Sequence, residues 1–361
     1  MRRPGHFIPD GPSHIAATIC LLKCSRVWHC RCIFAMLPLM KIVSVAALAV
    51  VFSFARGVQA QTDLPRPLPV PRAQAVPLPN REISFQRDGF EIARYYYGTH
   101  LDRPFLYPVI GPAGRSLTRM GHPHDPETHS HHNSIWISHR DVSGTNFWAD
   151  HGHGKIIHQR VLRFDDGPDR ASVLVVNAWT ADTGKVLLRE WRQMSVELLP
   201  NDEWLLVLDL EFEAPGPGKI ILGKTPFGLI GVRMARSIGV NDGGGRIRNS
   251  EGAAGEKEIL WKPAKWVDYS GPITDRAIEG VTLMDHPNNP NHPSVFHVRS
   301  DGWMGASLTF DEPRTLAPGE PLRLRYGLYI HAGMPAIDAL QKQWKEFAGT
   351  SLPNLKPQKS K

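Results

Sequence analysis

Histidine is concentrated in one segment of this sequence. The residues from Gly121 to His158 contain nine of the seventeen histidines in the 361-residue chain. A neutral imidazole can ligate a divalent metal ion, and an imidazole that titrates near neutral pH can act as a general acid or base. The His-x-His pattern occurs three times in the segment, at His122/His124, His129/His131 and His151/His153. The segment therefore predicts a metal site, an acid–base site or a polar loop.

Part of the histidine segment can run as a strand. The stretch SHHNSIWISH, from Ser130 to His139, contains no proline. In an extended segment alternate side chains share a face, so His129 and His131 are expected to point one way and His132 the other. If the protein binds a divalent metal, His129 and His131 are its predicted ligands. The alternative is a protein without a cofactor. A third ligand would come from His139, Asp141, Glu127 or His331.

The acid–base interpretation centres on the adjacent pair His131 and His132, because two imidazoles are followed closely by Asn133, Ser134 and an indole. The predicted catalytic residues are His131, His132, His139 and Asp141. The predicted ligand contacts are Trp136, Trp148, Asn133, Lys224, Arg233 and His292.

Three of these contacts are predicted for other reasons. Lys224 and Arg233 lie in an apolar run, where a cation needs an anionic or carbonyl partner, which can be an ion pair within the protein or an acidic sugar. His292 lies in a proline-rich loop that can close the site from its far side.

The other histidines have simpler interpretations. Those among Gly, Pro and Asp are expected at exposed loop positions: His122, His124, His151 and His153. His158 and His297 stand beside apolar residues in predicted strands, and we expect them in the core or on a sheet face.

The elements that must position these residues are nearly all strands. Short alternating or apolar segments recur between Gly, Pro, Asp and Asn, as in ASVLVVNAWT and EWLLVLDLEFEA. This pattern is typical of antiparallel strands, and a dozen or more of them in one domain favour a large antiparallel β-sandwich. One helix is predicted near the C-terminus, where Pro335 precedes Ile337, Leu340 and Trp344 at helical spacing.

The N-terminal sequence predicts a secreted or periplasmic protein. Met40-Lys41 begins an apolar run that ends in Val58-Gln59-Ala60, the pattern of a signal peptide. Residues 1–39, which hold all four cysteines, are then an N-terminal extension that arises from a wrongly chosen start. We expect a signal peptide at 40–60, a proline-rich linker at 61–80, the β-sandwich domain at 81–349 and a basic flexible tail at 350–361.

Charge argues against a nucleic-acid partner. The chain has 42 Lys and Arg against 35 Asp and Glu, a formal net charge of +7. Residues 1–60 contain seven of the basic residues and one of the acidic ones, so the remainder has 35 against 34 and a net charge of +1. No basic cluster with interleaved aromatic residues remains. No stable membrane insertion is expected once the signal peptide is removed.

Several blocks resemble a known family. HSHHNSIWISHRDVSGTNFW, DHPNNPNHPSVFHVRSDGWMGASL and LRLRYGLYIHAG are similar to successive blocks of the PmoA-like family of secreted bacterial proteins, often labelled "methane oxygenase PmoA". The label implies an oxygenase. The outline of the fold resembles the galactose-mutarotase-like supersandwich, which implies that the ligand is a carbohydrate.

The sequence thus leaves three functions open. The first is a secreted carbohydrate-active enzyme, a lyase, hydrolase or epimerase, with histidine acid–base groups. The second is a divalent-metal protein or oxygenase-like metalloenzyme with a His-x-His site. The third is a non-catalytic sugar-binding module. In each case the expected partner is a carbohydrate or another small molecule.

Overall fold

The computed structural model describes residues 68–122 and 129–356. The predicted N-terminal extension, the signal peptide and the first part of the linker lie outside the described residues. So do His124, Glu127 and the last five residues of the predicted tail.

The regular elements of the described chain are mostly antiparallel strands, as predicted. In chain order they are β1 Ala73–Leu78, β2 Glu82–Arg87, β3 Phe90–Tyr96, β4 Phe105–Val109, β5 Ile135–His139, β6 Gly154–Asp165, β7 Arg170–Ala181, β8 Val186–Leu198, β9 Trp204–Glu213, β10 Ile220–Leu222, β11 Gly228–Arg233, β12 Arg246–Asn249, β13 Lys262–Pro263, β14 Trp266–Pro272, β15 Ile278–Asp285, β16 Val295–Arg299, β17 Trp303–Ser307, β18 Arg314–Leu316 and β19 Leu322–Ala332.

Two large sheets contain all but two of these strands. The nine-stranded sheet has the order β1-β2-β3-β4-β5-β11-β17-β16-β13, and the eight-stranded sheet has the order β12-β14-β15-β19-β9-β8-β7-β6. The short strands β10 and β18 pair with each other. Because β5, β11, β17 and β16 are neighbours, segments far apart in sequence meet on one sheet face.

The two sheets share one hydrophobic core. Side chains alternate between the faces of a strand, so Ile135 and Ile137 of β5 enter the core with Trp179 and Phe212 of the eight-stranded sheet. Trp136, between the two isoleucines, belongs to a separate aromatic cluster on the outer face of the nine-stranded sheet. The predicted β-sandwich is confirmed, and the aromatic cluster lies on the face of the nine-stranded sheet that points away from the core.

The C-terminal helix is also confirmed. It is α3, Ile337–Ala348, and it follows two four-residue helices, α1 Val240–Gly243 and α2 Glu256–Ile259, and two 3-10 turns, Pro200–Asp202 and Arg236–Ile238. Leu340 and Phe347 of α3 pack against Leu205 and Val207 on the outer face of the eight-stranded sheet. Within the described part of the chain, no helix is long and apolar enough to cross a membrane.

The predicted proline-rich linker and the predicted flexible tail both contain packed segments where they are described. Ala73–Leu78, inside the predicted linker, pairs with β2, and Ala73 and Ala75 are buried. Pro77 is tolerated because β1 is the edge strand of its sheet and has only one neighbour. At the other end, Leu355 is buried against Leu174, Val176 and Trp191.

Candidate functional site

A cavity of about 610 Å³ opens on the outer face of the nine-stranded sheet. Its size is in the range typical of small-molecule sites. Imidazoles, aromatic rings and charged side chains from six stretches of the chain line most of it: His129, His131, His132, Arg140, Asn146, Trp148, Ala149, Phe227, Trp261, His297, Arg299, Asp301 and Trp303. The histidine segment thus meets a second segment, 297–303, that is distant in sequence.

The sheet register makes room for aromatic rings beneath the cavity. Trp136 is opposite Gly231, Gly231 is opposite Gly305, and Gly305 is opposite His297. These four residues form one row on the same face. A Cβ atom at Gly231 would lie 2.7 Å from ring carbons of both Trp136 and Trp303. The two glycines therefore let the indoles lie against the backbone of the central strands.

The cavity floor is an aromatic cluster. The Trp136 and Trp303 ring centroids are 5.3 Å apart, and Trp148 meets Trp303 edge to face at 5.6 Å. Phe227 extends the cluster, with its ring 5.9 Å from that of Trp148. Trp148 lines the cavity, and its contact with a ligand stays a prediction. Trp136 is buried beneath the lining and supports Trp303 instead.

The histidines are presented by a turn. The His132 N–H donates to the His129 carbonyl at 3.1 Å, and Ser134 has a left-handed φ of 57°. The extended segment begins only at Ile135, so the predicted separation of His131 and His132 onto opposite faces is wrong. Their ring centroids are 4.5 Å apart, and the rings of His129 and His131 are 6.0 Å apart.

His132 is the most deeply packed imidazole of this turn. Its ring stacks on Trp303 with centroids 5.1 Å apart and planes 15° apart, and on Trp136 at 5.5 Å. Burial lowers the pKa of His132 far below its usual range, and the nearby His131 and Arg233 lower it further. His132 is therefore neutral at physiological pH, and its buried Nδ1 has no hydrogen-bond partner among the described residues.

His297, on β16, lines the same cavity as that turn. It is 8% exposed, and burial lowers its pKa to about 4. Its ring is 4.2 Å from the ring of Trp261 and 5.6 Å from that of Trp303. The expected sheet-face position is correct, but this face borders the cavity.

Asp301 is the one carboxylate among the described residues that line the cavity. Its Oδ1 accepts a hydrogen bond from Arg233 Nη1 at 2.9 Å, and its Oδ2 lies 3.1 Å from His122 Nε2. Burial alone would raise the pKa of Asp301, but the bonds to Arg233 and His122 outweigh it and lower the pKa. Arg233, a predicted ligand contact, is therefore buried beneath the cavity as the partner of Asp301. His122, expected in an exposed loop, is half-buried beside the same carboxylate.

Arg103 fastens the histidine turn to the loop that holds Trp148. This guanidinium is 1% exposed, and its Nη1 donates to Asn133 Oδ1 at 2.7 Å and to Asp150 Oδ1 at 2.8 Å. Its Nη2 donates to the Ala149 carbonyl at 3.0 Å. Asn133 was predicted to contact the ligand, but its amide oxygen is occupied by this structural bond, and it does not line the cavity.

His139 and Asp141 are placed away from the cavity. His139 is fully buried, its Nδ1 accepts from the Asp141 N–H at 3.1 Å, and its Nε2 lies 2.9 Å from Thr309 Oγ1. Because Nδ1 accepts, Nε2 carries the proton and donates to the threonine. Burial lowers the pKa of His139 to about 4. The Asp141 carboxylate accepts from the Gly144 N–H at 2.8 Å and closes a turn. Both residues organise the loop after β5.

Lys224 and His292 do not line the cavity either. Lys224 is exposed and is not among the lining residues. The Nδ1 of His292 lies 2.8 Å from Asp285 Oδ2, and its ring stacks on Trp344 of α3 with centroids 6.1 Å apart. The His292 side chain therefore packs against the C-terminal helix and does not reach this cavity.

The metal prediction stays a prediction. Within residues 68–122 and 129–356, no group of three or more His, Cys, Asp or Glu side chains is arranged to hold a metal ion. His129 and His131 do line one cavity together, and Glu127, one of the proposed third ligands, lies outside the described residues.

The site predicted from the sequence lacked the residues of the β16–β17 hairpin. This hairpin contributes His297, Arg299, Asp301 and Trp303 to the cavity. Its sequence is part of one of the blocks that resemble the PmoA-like family, but no spacing rule connected it to the histidines. The alternation in FHVRSDGW places His297 and Arg299 on one strand face, a signal that was available. Only the pairing of β5 with β11 and of β11 with β17 shows that this face continues to Trp136.

Residues 82–345 match the model of a family of unknown function, DUF6807. This chain belongs to that family. A search of curated proteins finds no match to this DUF6807 member. Among solved structures, it is similar to a GalM/aldose epimerase homologue from C. elegans, with 9% identity, 73% of this chain and 99% of that chain covered, and a TM-score of 0.33.

A second similar structure is a candidate kojibiose phosphorylase from the human microbiome. The identity is 10%, the match covers 80% of this chain and 38% of that chain, and the TM-score is 0.33. Similarities of this size carry no conclusion about the DUF6807 site.

Proposed function

We propose that this DUF6807 protein binds a carbohydrate in the outer-face cavity and transfers protons to and from it with histidine side chains. One observation carries the proposal: four imidazoles, those of His129, His131, His132 and His297, surround a cavity whose floor is made of tryptophan rings. This combination suits a ligand that has both apolar faces and many hydroxyl groups.

The aromatic floor supplies the apolar half of such recognition. An indole offers a large rigid face with little rotational freedom to lose on binding. Trp148 and Trp303 present such rings to the cavity at right angles to each other, with an interplanar angle of 89°. A sugar ring can therefore pack its C–H face on one indole and meet the edge of the other.

The imidazoles supply the polar half. A neutral imidazole has one donor and one acceptor nitrogen, which matches a hydroxyl group that both donates and accepts. The lowered pKa values of His132 and His297 keep both rings in this neutral form at pH 7. His131, half-buried at the cavity and in ring contact with His132, is our candidate for the proton-transferring group.

Lyases, hydrolases and epimerases all need such a general acid or base within reach of the sugar. In this proposal His132 acts as a positioning residue, because it holds His131 against the tryptophan cluster.

The charges favour an acidic sugar. Arg140 and Arg299 line the cavity together with Asp301, the one carboxylate among the described lining residues, and Asp301 is already paired with Arg233. Arg299 has a carboxylate partner in Glu256, at 3.0 Å, whereas Arg140 has no ion pair with any described residue and lies over the Phe227 ring. A uronate or a sulfated sugar would complete the charge balance, and a guanidinium binds both groups well.

A turnover and binding screen over plant and algal oligosaccharides, both neutral and acidic, tests the proposal. His131→Ala and His132→Ala should be compared with His153→Ala, whose side chain is 78% exposed at a distant turn. Loss of a proton-transferring histidine should lower the rate by about 10²–10⁴-fold, while His153→Ala should behave as the wild type. If both cavity variants fold and keep full turnover, the catalytic role of this turn is refuted; binding without turnover would leave a sugar-binding module.

A metal site is the second candidate function. The His122 and His129 rings are 5.2 Å apart, and the His129 and His132 rings are 4.9 Å apart, so three imidazoles lie close together. Metal analysis of the protein after extensive dialysis tests this candidate. Retention of about one divalent ion per chain, lost in His129→Ala, would support it; retention of none would remove it.

A further inference from the structure

A second, smaller cavity adjoins the first. It has a volume of about 230 Å³, and Trp261 lines both cavities. The other residues of the second cavity combine an aromatic ring, prolines and polar groups: Pro263, Asn291, Pro293, Val295, Ser307, Leu308, Phe310 and Asp311. Neither the family assignment nor the sequence pattern gives this cavity a role.

Trp261 has an unusual backbone conformation. Its φ is 62°, in the left-handed region, where a bulky side chain is a true outlier. The surrounding structure holds it there: the Trp261 N–H donates to the Phe296 carbonyl at 2.9 Å, and the next residue, Lys262, is paired with Phe296 in the sheet. Strain of this kind persists only where neighbouring contacts impose it, and it is often found at ligand sites.

The Trp261 ring connects the two cavities. Its centroid is 4.2 Å from the ring of His297, which lines the first cavity, and 5.1 Å from the ring of Phe310, which lines the second. The Trp261 and Phe310 planes differ by 28°. An aromatic surface therefore continues from the tryptophan floor of the first cavity into the second.

We propose that the two cavities are adjoining subsites for successive residues of one oligosaccharide, with Trp261 as the platform at their boundary. This inference rests on the proposed carbohydrate function and adds that the ligand has at least two sugar units. The ring of the second unit would pack against Phe310 and Trp261, and Asn291 and Asp311 would offer polar groups to its hydroxyls.

Calorimetric titration with two ladders of sugars tests the inference: glucose and the cello-oligosaccharides up to cellotetraose, and galacturonic acid and its oligomers up to the tetramer. For the series that binds, the affinity should rise about tenfold from the monosaccharide to the disaccharide, because a second ring face leaves water. Phe310→Ala should remove most of this rise and leave monosaccharide affinity unchanged. Trp261→Phe should keep part of the rise, and Trp261→Ala should remove it.

Phe90→Ala is the matched control, because this phenyl group is 78% exposed at the start of β3. It should leave the whole ladder unchanged, and thermal unfolding should verify that every variant is folded. Equal affinity for mono- and disaccharides in the wild type, or an undiminished rise in Phe310→Ala, would overturn the two-subsite inference and leave carbohydrate binding intact. A failure of every sugar in both ladders to bind would instead count against the proposed function, and the inference would fall with it.

Discussion

The close packing of two indoles over Gly231 can be tested by adding a single methyl group. In Gly231→Ala the new Cβ atom would lie 2.7 Å from ring carbons of both Trp136 and Trp303. Carbon atoms in contact prefer a separation of about 3.5–4.0 Å, so each ring has to retreat by roughly 1 Å. Both indoles are almost fully buried, at 1% and 4% exposure, and pack on each other, so neither can move alone.

Packing and backbone preference change the stability of Gly231→Ala in opposite directions, so the sign of the change in the free energy of unfolding shows which is larger. Overpacking of this kind costs about 1–3 kcal/mol. Alanine is ordinarily better than glycine inside a strand by about 0.5–1 kcal/mol. We therefore expect Gly231→Ala to lower the free energy of unfolding by about 1–2 kcal/mol, because the clash outweighs the backbone gain.

Chemical unfolding followed by tryptophan fluorescence measures this difference, and near-UV circular dichroism reports any change in the indole cluster. Gly216→Ala is the matched control, since this glycine is exposed and no atom lies within 4 Å of the place that an added Cβ would take. That variant should change stability by less than about 0.5 kcal/mol. If Gly231→Ala proves as stable as Gly216→Ala, with an unchanged near-UV spectrum, the described floor of the cavity is incorrect.

Three further predictions concern the anchor of the site, its response to acid and the processing of the chain. Arg103→Met should lower the free energy of unfolding by about 3 kcal/mol in a denaturant titration, because the Asp150 carboxylate loses its buried partner; a loss below about 1 kcal/mol would contradict the anchoring role. Burial lowers the pKa of His297 from 6.5 to about 4, so its neutral form contributes stability that is complete above pH 6.5 and is lost as the pH falls through about 4. This contribution is on the order of 3 kcal/mol. Between pH 7 and pH 4 the free energy of unfolding should therefore fall less in His297→Gln than in the wild type. Equal falls in the two proteins would refute the contribution of His297. We predict that the protein is exported, that mass spectrometry of the native protein finds a mature chain beginning near Gln61, and that recovery of peptides from residues 1–39 would show this prediction to be wrong.

The overall architecture could be predicted because its causes are local. Alternating apolar residues, turn residues between them and the proline before Ile337 are each visible in a short window of sequence, and each corresponds to an observed element. The strand Ala73–Leu78 was missed for the same reason: its prolines argue locally against a strand, and only its position at a sheet edge makes them acceptable.

The site was half predictable because its geometry is not local. The histidine turn depends on the left-handed Ser134 and on the bond from the His132 N–H to the His129 carbonyl, neither of which the alternation rule includes. Gly231 and Gly305 have no distinctive neighbours in sequence. Their role in making room for the indoles is visible only once the strand register places them between Trp136 and His297. Trp148 was predicted as a ligand contact from the polar loop residues around it, and the structure places it in the lining of the cavity.

A crystal structure with the tightest-binding oligosaccharide would test the central claim most directly, namely that the outer-face cavity is the carbohydrate site. We predict a sugar ring packed against Trp148 or Trp303, with one of its oxygens within hydrogen-bonding distance of His131. The result that would contradict the claim is a sugar bound elsewhere while this cavity stays empty. One such place is the space of about 690 Å³ between α3 and the eight-stranded sheet, lined by Arg325 and Phe347.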